Sequence, residues 1–220
     1  MTNDRQNRLA RLAGARLYAI IDTGLVTAAR AVPVLEALLD GGAGVVQLRA
    51  KDRPPADVAR LARLLLPACR RAGVPFLVND HPDVAAAVGA DGVHIGQGDG
   101  SLQAARRVVG PDRLVGGSTH CLSQACAAAA EGFDYIGFGP LYATATKPDG
   151  AAIGLAEIAE VHRRVALPVF CIGGINPQTL PDVVAAGARR VVIVSALLTA
   201  DDPAAAARRA LALLPASRGQ

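Results

Sequence analysis

Short apolar runs return along this chain at regular intervals, separated by longer stretches in which apolar residues recur at helical spacing. The runs at 17–22, 45–51, 75–80, 92–97, 114–120, 135–140, 168–174 and 190–196 read as eight β-strands. The intervening patterns stop where a helix should stop: 34–40 before Gly41-Gly42, 56–72 before Gly73, 82–88 before Gly89. A basic stretch at 5–14 reads as a helical leader. Alternating strands and helices imply a parallel sheet, because each crossover helix returns the chain to the same edge, and eight such units close into a barrel. The expected fold is α/β, a single-domain (β/α)8 TIM barrel over 1–220, with 1–14 as leader and 202–220 as a C-terminal helix and tail. An open doubly wound sheet competes with it. Against that sheet, Gly137-Phe138-Gly139 lacks the third glycine of a dinucleotide fingerprint, and Ile172-Gly173-Gly174-Ile175 lacks its spacing.

Strand two departs from the apolar rule. Val46, Leu48 and Ala50 fall on one face, Gln47, Arg49 and Lys51 on the other. Strands in a barrel are normally apolar on both faces, so polar groups pointing inward need a ligand or one another. Barrel active sites lie at the C-terminal strand ends. Collected there are Arg49 and Lys51, Asn79-Asp80, Gln97 and Asp99, Ser118 and His120, Thr144, Thr146 and Lys147, Gly173-Gly174, and Ser195.

Composition sharpens this set. Of 23 basic residues only Lys51 and Lys147 are lysine, and both belong to the rim. If about one residue in five lies there, chance places both with odds of roughly one in twenty-five. An ammonium is a point charge that turns toward any phosphate oxygen, whereas guanidinium is a planar fork, so the two are not interchangeable at a tight anion site. The loop 137–147 surrounds Lys147 with glycines, a proline and threonines that offer N–H and hydroxyl groups to an anion. Two carboxylates, Asp80 and Asp99, end adjacent strands among these cations, a donor set suited to Mg²⁺ bridging a pyrophosphate. Each aspartate alone reads equally well as a helix cap, before Pro82 and before Ser101. The turn at 173–176 and Val194-Ser195 match the phosphate pocket common to many barrels. His94 and His120 read as hydrogen-bonded barrel residues, and His81 and His162 as solvated.

The 220 residues are 51% hydrophobic and carry a formal charge of +4, but only 3% are aromatic, so platforms for stacking bases are scarce. Arg70-Arg71, Arg106-Arg107 and Arg163-Arg164 stand near helix ends, where cations meet the negative pole of the dipole. A nucleic-acid partner is therefore not expected. Nor is a membrane, since no apolar run of spanning length appears. Cys69, Cys121, Cys126 and Cys171 have neither zinc-ligand nor disulfide spacing, and the polar start lacks a signal peptide, so the expected location is cytoplasmic. A homo-oligomer is left open.

In order along the chain, Gln47-Leu48-Arg49-Ala50-Lys51, Asn79-Asp80, Asp91-Gly92-Val93-His94-Ile95-Gly96-Gln97, Gly116-Gly117-Ser118-Thr119-His120, Gly139-Pro140 leading to Thr144-Ala145-Thr146-Lys147, Ile172-Gly173-Gly174-Ile175 and Val194-Ser195 resemble the thiamine-phosphate synthase family. The resemblance covers nearly all of the chain after the leader. It implies a Mg²⁺-dependent transferase joining two small molecules, hydroxymethylpyrimidine diphosphate and thiazole phosphate, into thiamine phosphate and pyrophosphate. It further implies that Gln47, Leu48, Arg49, Ala50, Lys51, Asn79, Ser118 and Lys147 bind the pyrimidine diphosphate, with Arg49, Lys51, Ser118 and Lys147 catalytic. By the same resemblance Asp80 and Asp99 hold the metal, and Thr144, Ala145, Thr146, Gly174, Val194 and Ser195 hold the thiazole phosphate. Two positions depart from the family pattern: Gly98 replaces a usual acidic residue in the metal loop, and Cys171 stands where alanine is common. The competing readings are a thiazole tautomerase using histidine, a lysine Schiff-base aldolase, and a non-catalytic phosphate-binding barrel.

Overall fold

Eight parallel strands and their helices follow one another in the computed structural model, which describes residues 4–51, 53–143 and 151–216. The order begins α1 (Asp4–Gly14), β1 (Leu17–Asp22), α2 (Ala28–Asp40), β2 (Val45–Arg49), α3 (Pro55–Ala72), β3 (Phe76–Asn79), α4 (Pro82–Val88), β4 (Gly92–Ile95) and α5 (Leu102–Val109). It continues β5 (Leu114–Thr119), α6 (Leu122–Glu131), β6 (Tyr135–Phe138), α7 (Ile158–Arg164), β7 (Val169–Cys171), α8 (Leu180–Ala185), β8 (Val191–Ile193), α9 (Ser195–Leu198) and α10 (Pro203–Leu213). Neighbouring strands pair in sequence order, and β8 returns to β1 through Leu17↔Val191, Tyr18↔Val192 and Ala19↔Ile193, closing the barrel. The expected (β/α)8 architecture forms.

Strand periodicity splits the core into two shells. Outward residues such as Val46, Leu48, Val78, Val93 and Ile136 join the apolar faces of the helices. Inward residues make a separate interior: Tyr18, Val45, Leu77, Leu114, Tyr135, Phe170 and Val192. Leu12 and Ala15, from α1 and the turn after it, belong to that interior and seal the N-terminal end of the barrel. The leader is pinned there by Arg8 to Asp91 at 2.9 Å and by Arg5 to the buried Asp134 at 2.5 Å. Asp134 also takes Arg106 at 2.7 Å and the Val115 N–H at 2.7 Å. Arg106 is therefore more than a solvated helix-end charge.

Three details differ from the sequence reading. The strands end earlier, β2 at Arg49 and not Lys51, β3 at Asn79 and not Asp80, β7 at Cys171 and not Gly174, because the chain leaves the ladder to form the rim. The helix expected from 34 begins at Ala28 and carries the exposed Pro33 in its second turn, where a proline removes one backbone bond without disturbing the buried face. His162, expected in solvent, is packed inward beside Ile158 and Val161, and its Nε2 is buried without a partner among the described residues. Burial first, and then the neighbouring Arg189 and Arg190, holds its pKa down to about 4. Among the described residues no helix is long and apolar enough to cross a membrane.

Candidate active site

The floor of the site is a chain of hydrogen bonds across the barrel interior. Gln47 Nε2 donates to the Tyr18 hydroxyl at 2.7 Å, and the Tyr18 and Tyr135 hydroxyls lie 3.1 Å apart. His94 Nδ1 is 3.0 Å from the Tyr135 hydroxyl, and His94 Nε2 is 3.0 Å from Ser118 Oγ. Five strands thus answer one another's inward polar groups. Burial pushes both phenols above the ordinary tyrosine range, so both stay protonated. Glycine makes room for the chain: a Cβ on Gly116 would lie 2.0 Å from Tyr135 Cζ, so only glycine lets that ring cross β5.

Above the floor, charged groups gather on the β1 to β4 side. Asp22 and Arg49 are register partners, which brings Arg49 NH1 within 2.6 Å of Asp22 Oδ2. The other oxygen of Asp22 accepts the Gly24 N–H at 2.9 Å, so the carboxylate is fixed and in turn fixes the guanidinium. Lys51 Nζ is 3.3 Å from Asp80 Oδ2. The Asp80 carboxyl is raised from its ordinary value by burial and by the adjacent Asp99, with Lys51 opposing. Neither aspartate caps a helix. His81 holds the N-cap position of α4, and Ser101 caps α5 by accepting from the Ala104 N–H. Asp99 instead accepts the Gly96 N–H at 2.8 Å, folding the loop back on itself. Two carboxylates pressed together beside a lysine fit a hard cation completed by phosphate and water oxygens. Among the described residues no group of three or more His, Cys, Asp or Glu is placed to hold a metal by itself.

The β6 to β8 side is mostly backbone. Gly173 and Gly174 have φ of 100° and 67°, a left-handed pair that glycine adopts without strain. A Cβ on Gly173 would come within 2.5 Å of Pro140, so the turn packs tightly against the β6 loop. Asn176 Oδ1 accepts from the Gln178 and Thr179 N–H groups, at 2.9 and 3.1 Å, and steadies the turn. Ser195 opens the short α9 after Val194. Between the two sides lies a cavity of about 970 Å³, counting its open mouth, lined by Gln47, Arg49, Asn79, Ser118, Gly174, Val194 and Ser195 among others.

Most of the expected site residues therefore meet at one end of the barrel. Leu48 and Ala50 point outward into the apolar shell, so only their backbone is available to a ligand. Thr144, Ala145, Thr146 and Lys147 lie outside the described residues. His120 bonds through Nδ1 to the Gly139 carbonyl, as a barrel residue would. Gly98 has open space where a Cβ would stand. Sequence reasoning missed Asp22, although it ends a strand like the residues that were collected. It also missed Tyr18 and Tyr135, which local patterning counts as apolar.

The sequence profile of the thiamine monophosphate synthase family matches residues 17–197. The chain is 46% identical over 181 residues to a thiamine-phosphate synthase of Chloroflexus aurantiacus, covering 82% of this chain and 83% of that one. It is 48% identical over 193 residues to one of Mycobacterium avium, covering 83% and 86%. A solved thiamine phosphate pyrophosphorylase of Pyrococcus furiosus superposes with a TM-score of 0.84 at 30% identity, covering 96% of this chain and all of that one. A 3-hexulose-6-phosphate synthase, at 19% identity and a TM-score of 0.66 over 91% of this chain and all of that one, shares the fold alone.

Proposed function

We infer the reaction from a premise that the comparisons establish: the chain belongs to the thiamine monophosphate synthase family. It is a transferase of thiamine biosynthesis. The substrates on this reading are hydroxymethylpyrimidine diphosphate and thiazole phosphate. The bond between the pyrimidine methylene carbon and the diphosphate oxygen breaks, and its electron pair leaves with pyrophosphate. The thiazole nitrogen then gives its lone pair to that carbon, forming thiamine phosphate.

The observation that carries this reading is the charge arrangement over a polar floor: Arg49 clamped by Asp22, and Lys51 beside Asp80 and Asp99 on the same rim. The aminopyrimidine can delocalise positive charge on its methylene, so catalysis chiefly requires stabilising the negative charge that grows on the leaving group. Arg49 and Lys51 supply donors for that charge, and the family resemblance assigns Lys147 the same role. Asp80 and Asp99 would hold Mg²⁺, which when bound supplies further compensation for diphosphate charge. Gln47, Asn79 and Ser118 face the pyrimidine. Gly174, Val194 and Ser195 line the other side of the cavity, where they would hold the thiazole phosphate and bring its nitrogen to the reacting carbon; the family resemblance assigns Thr144, Ala145 and Thr146 to the same phosphate. All four cysteines are free, which supports the cytoplasm as the compartment.

Incubating the protein with both substrates, with and without Mg²⁺, tests this reading. One pyrophosphate released per thiamine phosphate formed, with both substrates and Mg²⁺ required, is the expected result. Failure to form thiamine phosphate, or pyrophosphate release that ignores the thiazole, would overturn it.

A further inference from the structure

We propose that Tyr18, Tyr135 and His94 are positioning residues that fix the direction of the interior hydrogen-bond chain, so that Gln47 offers the pyrimidine an acceptor and Ser118 offers it a donor. The inference rests on the reaction proposed above and concerns how its site tells an aminopyrimidine from its oxo counterpart.

The direction follows from counting hydrogens. An amide nitrogen only donates, so at 2.7 Å Gln47 Nε2 gives a hydrogen to the Tyr18 oxygen. The Tyr18 hydrogen then goes to Tyr135, whose oxygen lies 3.1 Å away. Tyr135, having accepted, donates its own hydrogen to His94 Nδ1 at 3.0 Å. A neutral imidazole that accepts at Nδ1 carries its hydrogen on Nε2. That N–H donates to Ser118 Oγ at 3.0 Å. Ser118 has accepted inside the chain and keeps its hydroxyl hydrogen for the cavity it lines. At the other end, one of the two Gln47 amide hydrogens is spent on Tyr18, and Gln47 Oε1 is the group left to accept.

The Gln47 amide sets the order, and each phenol has one hydrogen to pass on. Both phenols are buried and stay protonated, and Tyr18 and Tyr135 each pack edge-on to Phe170, with centroids 5.3 and 5.9 Å apart. The two ends complement an amino group, which donates, and a ring nitrogen, which accepts. A 4-oxo analogue puts a carbonyl where the amine stood and moves a hydrogen onto a ring nitrogen, so it meets like groups. Sites built to hydrogen-bond one partner reject its mismatch by large factors, on the order of 10⁴ to 10⁵ in kcat/KM.

The experiment compares the 4-amino and 4-oxo pyrimidine diphosphates in the wild type, Tyr18→Phe and Tyr135→Phe. Both substitutions keep the ring and remove the hydroxyl, which frees the Gln47 amide to turn or the His94 tautomer to change. The expected result is a fall of about tenfold or more in the amino-to-oxo ratio, with KM raised for the pyrimidine diphosphate and unchanged for the thiazole phosphate. A folded variant that retains the wild-type ratio overturns the proposal. A second measurement needs no substrate: ¹⁵N-histidine NMR of the wild type, with the His94 signal assigned by its loss in a folded His94→Gln protein. The Nε2–H tautomer is expected, and an Nδ1–H or doubly protonated ring would overturn the chain. A wild type that makes no thiamine phosphate while His94 is the Nε2–H tautomer would sink the reaction but leave the hydrogen order standing.

Discussion

Asp80 has a φ of 63°, a left-handed conformation that aspartate and asparagine tolerate better than most side chains. Its N–H still bonds the His94 carbonyl at 2.9 Å, so the residue turns its carboxyl to the rim without breaking the ladder behind it. Asparagine at this position keeps the backbone preference and nearly the same shape, removing only the charge. The same holds at Asp99, whose bond to the Gly96 N–H an amide oxygen can also accept. Asp80→Asn and Asp99→Asn should therefore fold with unchanged or slightly raised thermal midpoints, since they relieve repulsion between two carboxylates. Their kcat should fall by roughly 10² to 10³, the scale for losing one group that stabilises transition-state charge. Near wild-type rates and unchanged Mg²⁺ dependence in both variants would remove the metal assignment.

The seat that Gly116 provides for Tyr135 is a property of two paired strands, β5 and β6, rather than of one residue. Gly116→Ala has to displace a buried ring or the strand itself, and should cost on the order of 3 kcal/mol together with most of the activity. Gly98→Ala meets nothing and should stay within about 0.5 kcal/mol of the wild type. Urea unfolding of the pair reads both. At this scale, strand identity was legible because each strand has its own short apolar run, and the rim was legible from the polar residues that end them. Strand ends were not, because the alternation continues through Lys51 and Asp80 after the backbone has turned away from its neighbours. The floor was hidden for another reason. Tyr18 and Tyr135 are 117 positions apart, and their bond exists only once the barrel closes. His162 could have been placed correctly, since Ile158, Val161 and His162 share one helical face.

Stability of the whole barrel should register that buried imidazole. The unfolded chain binds a proton at His162 near pH 6.5, whereas the folded protein resists it until about pH 4. In that window the unfolded state holds more protons, so the contribution is complete above pH 6.5 and lost as pH falls, by about 3 kcal/mol in total. His162→Gln should lose less stability than the wild type between pH 7 and pH 4.5 in urea titrations; parallel curves would contradict this. The leader tests the barrel from its closed end. Leu12 is fully buried beneath the interior, among side chains that surround Tyr18 and Tyr135, while the substrate cavity opens at the opposite end. Leu12→Ala leaves a void that the strands cannot collapse to fill, and should cost about 2–5 kcal/mol. Arg5→Ala should cost far less, because Asp134 keeps Arg106 and the Val115 N–H. If α1 is only a plug, kcat for the folded Leu12→Ala protein stays near the wild-type value while its urea midpoint drops. If kcat drops with it, water admitted from below has reached the hydrogen-bond chain, and the leader is part of what keeps that chain dry and ordered.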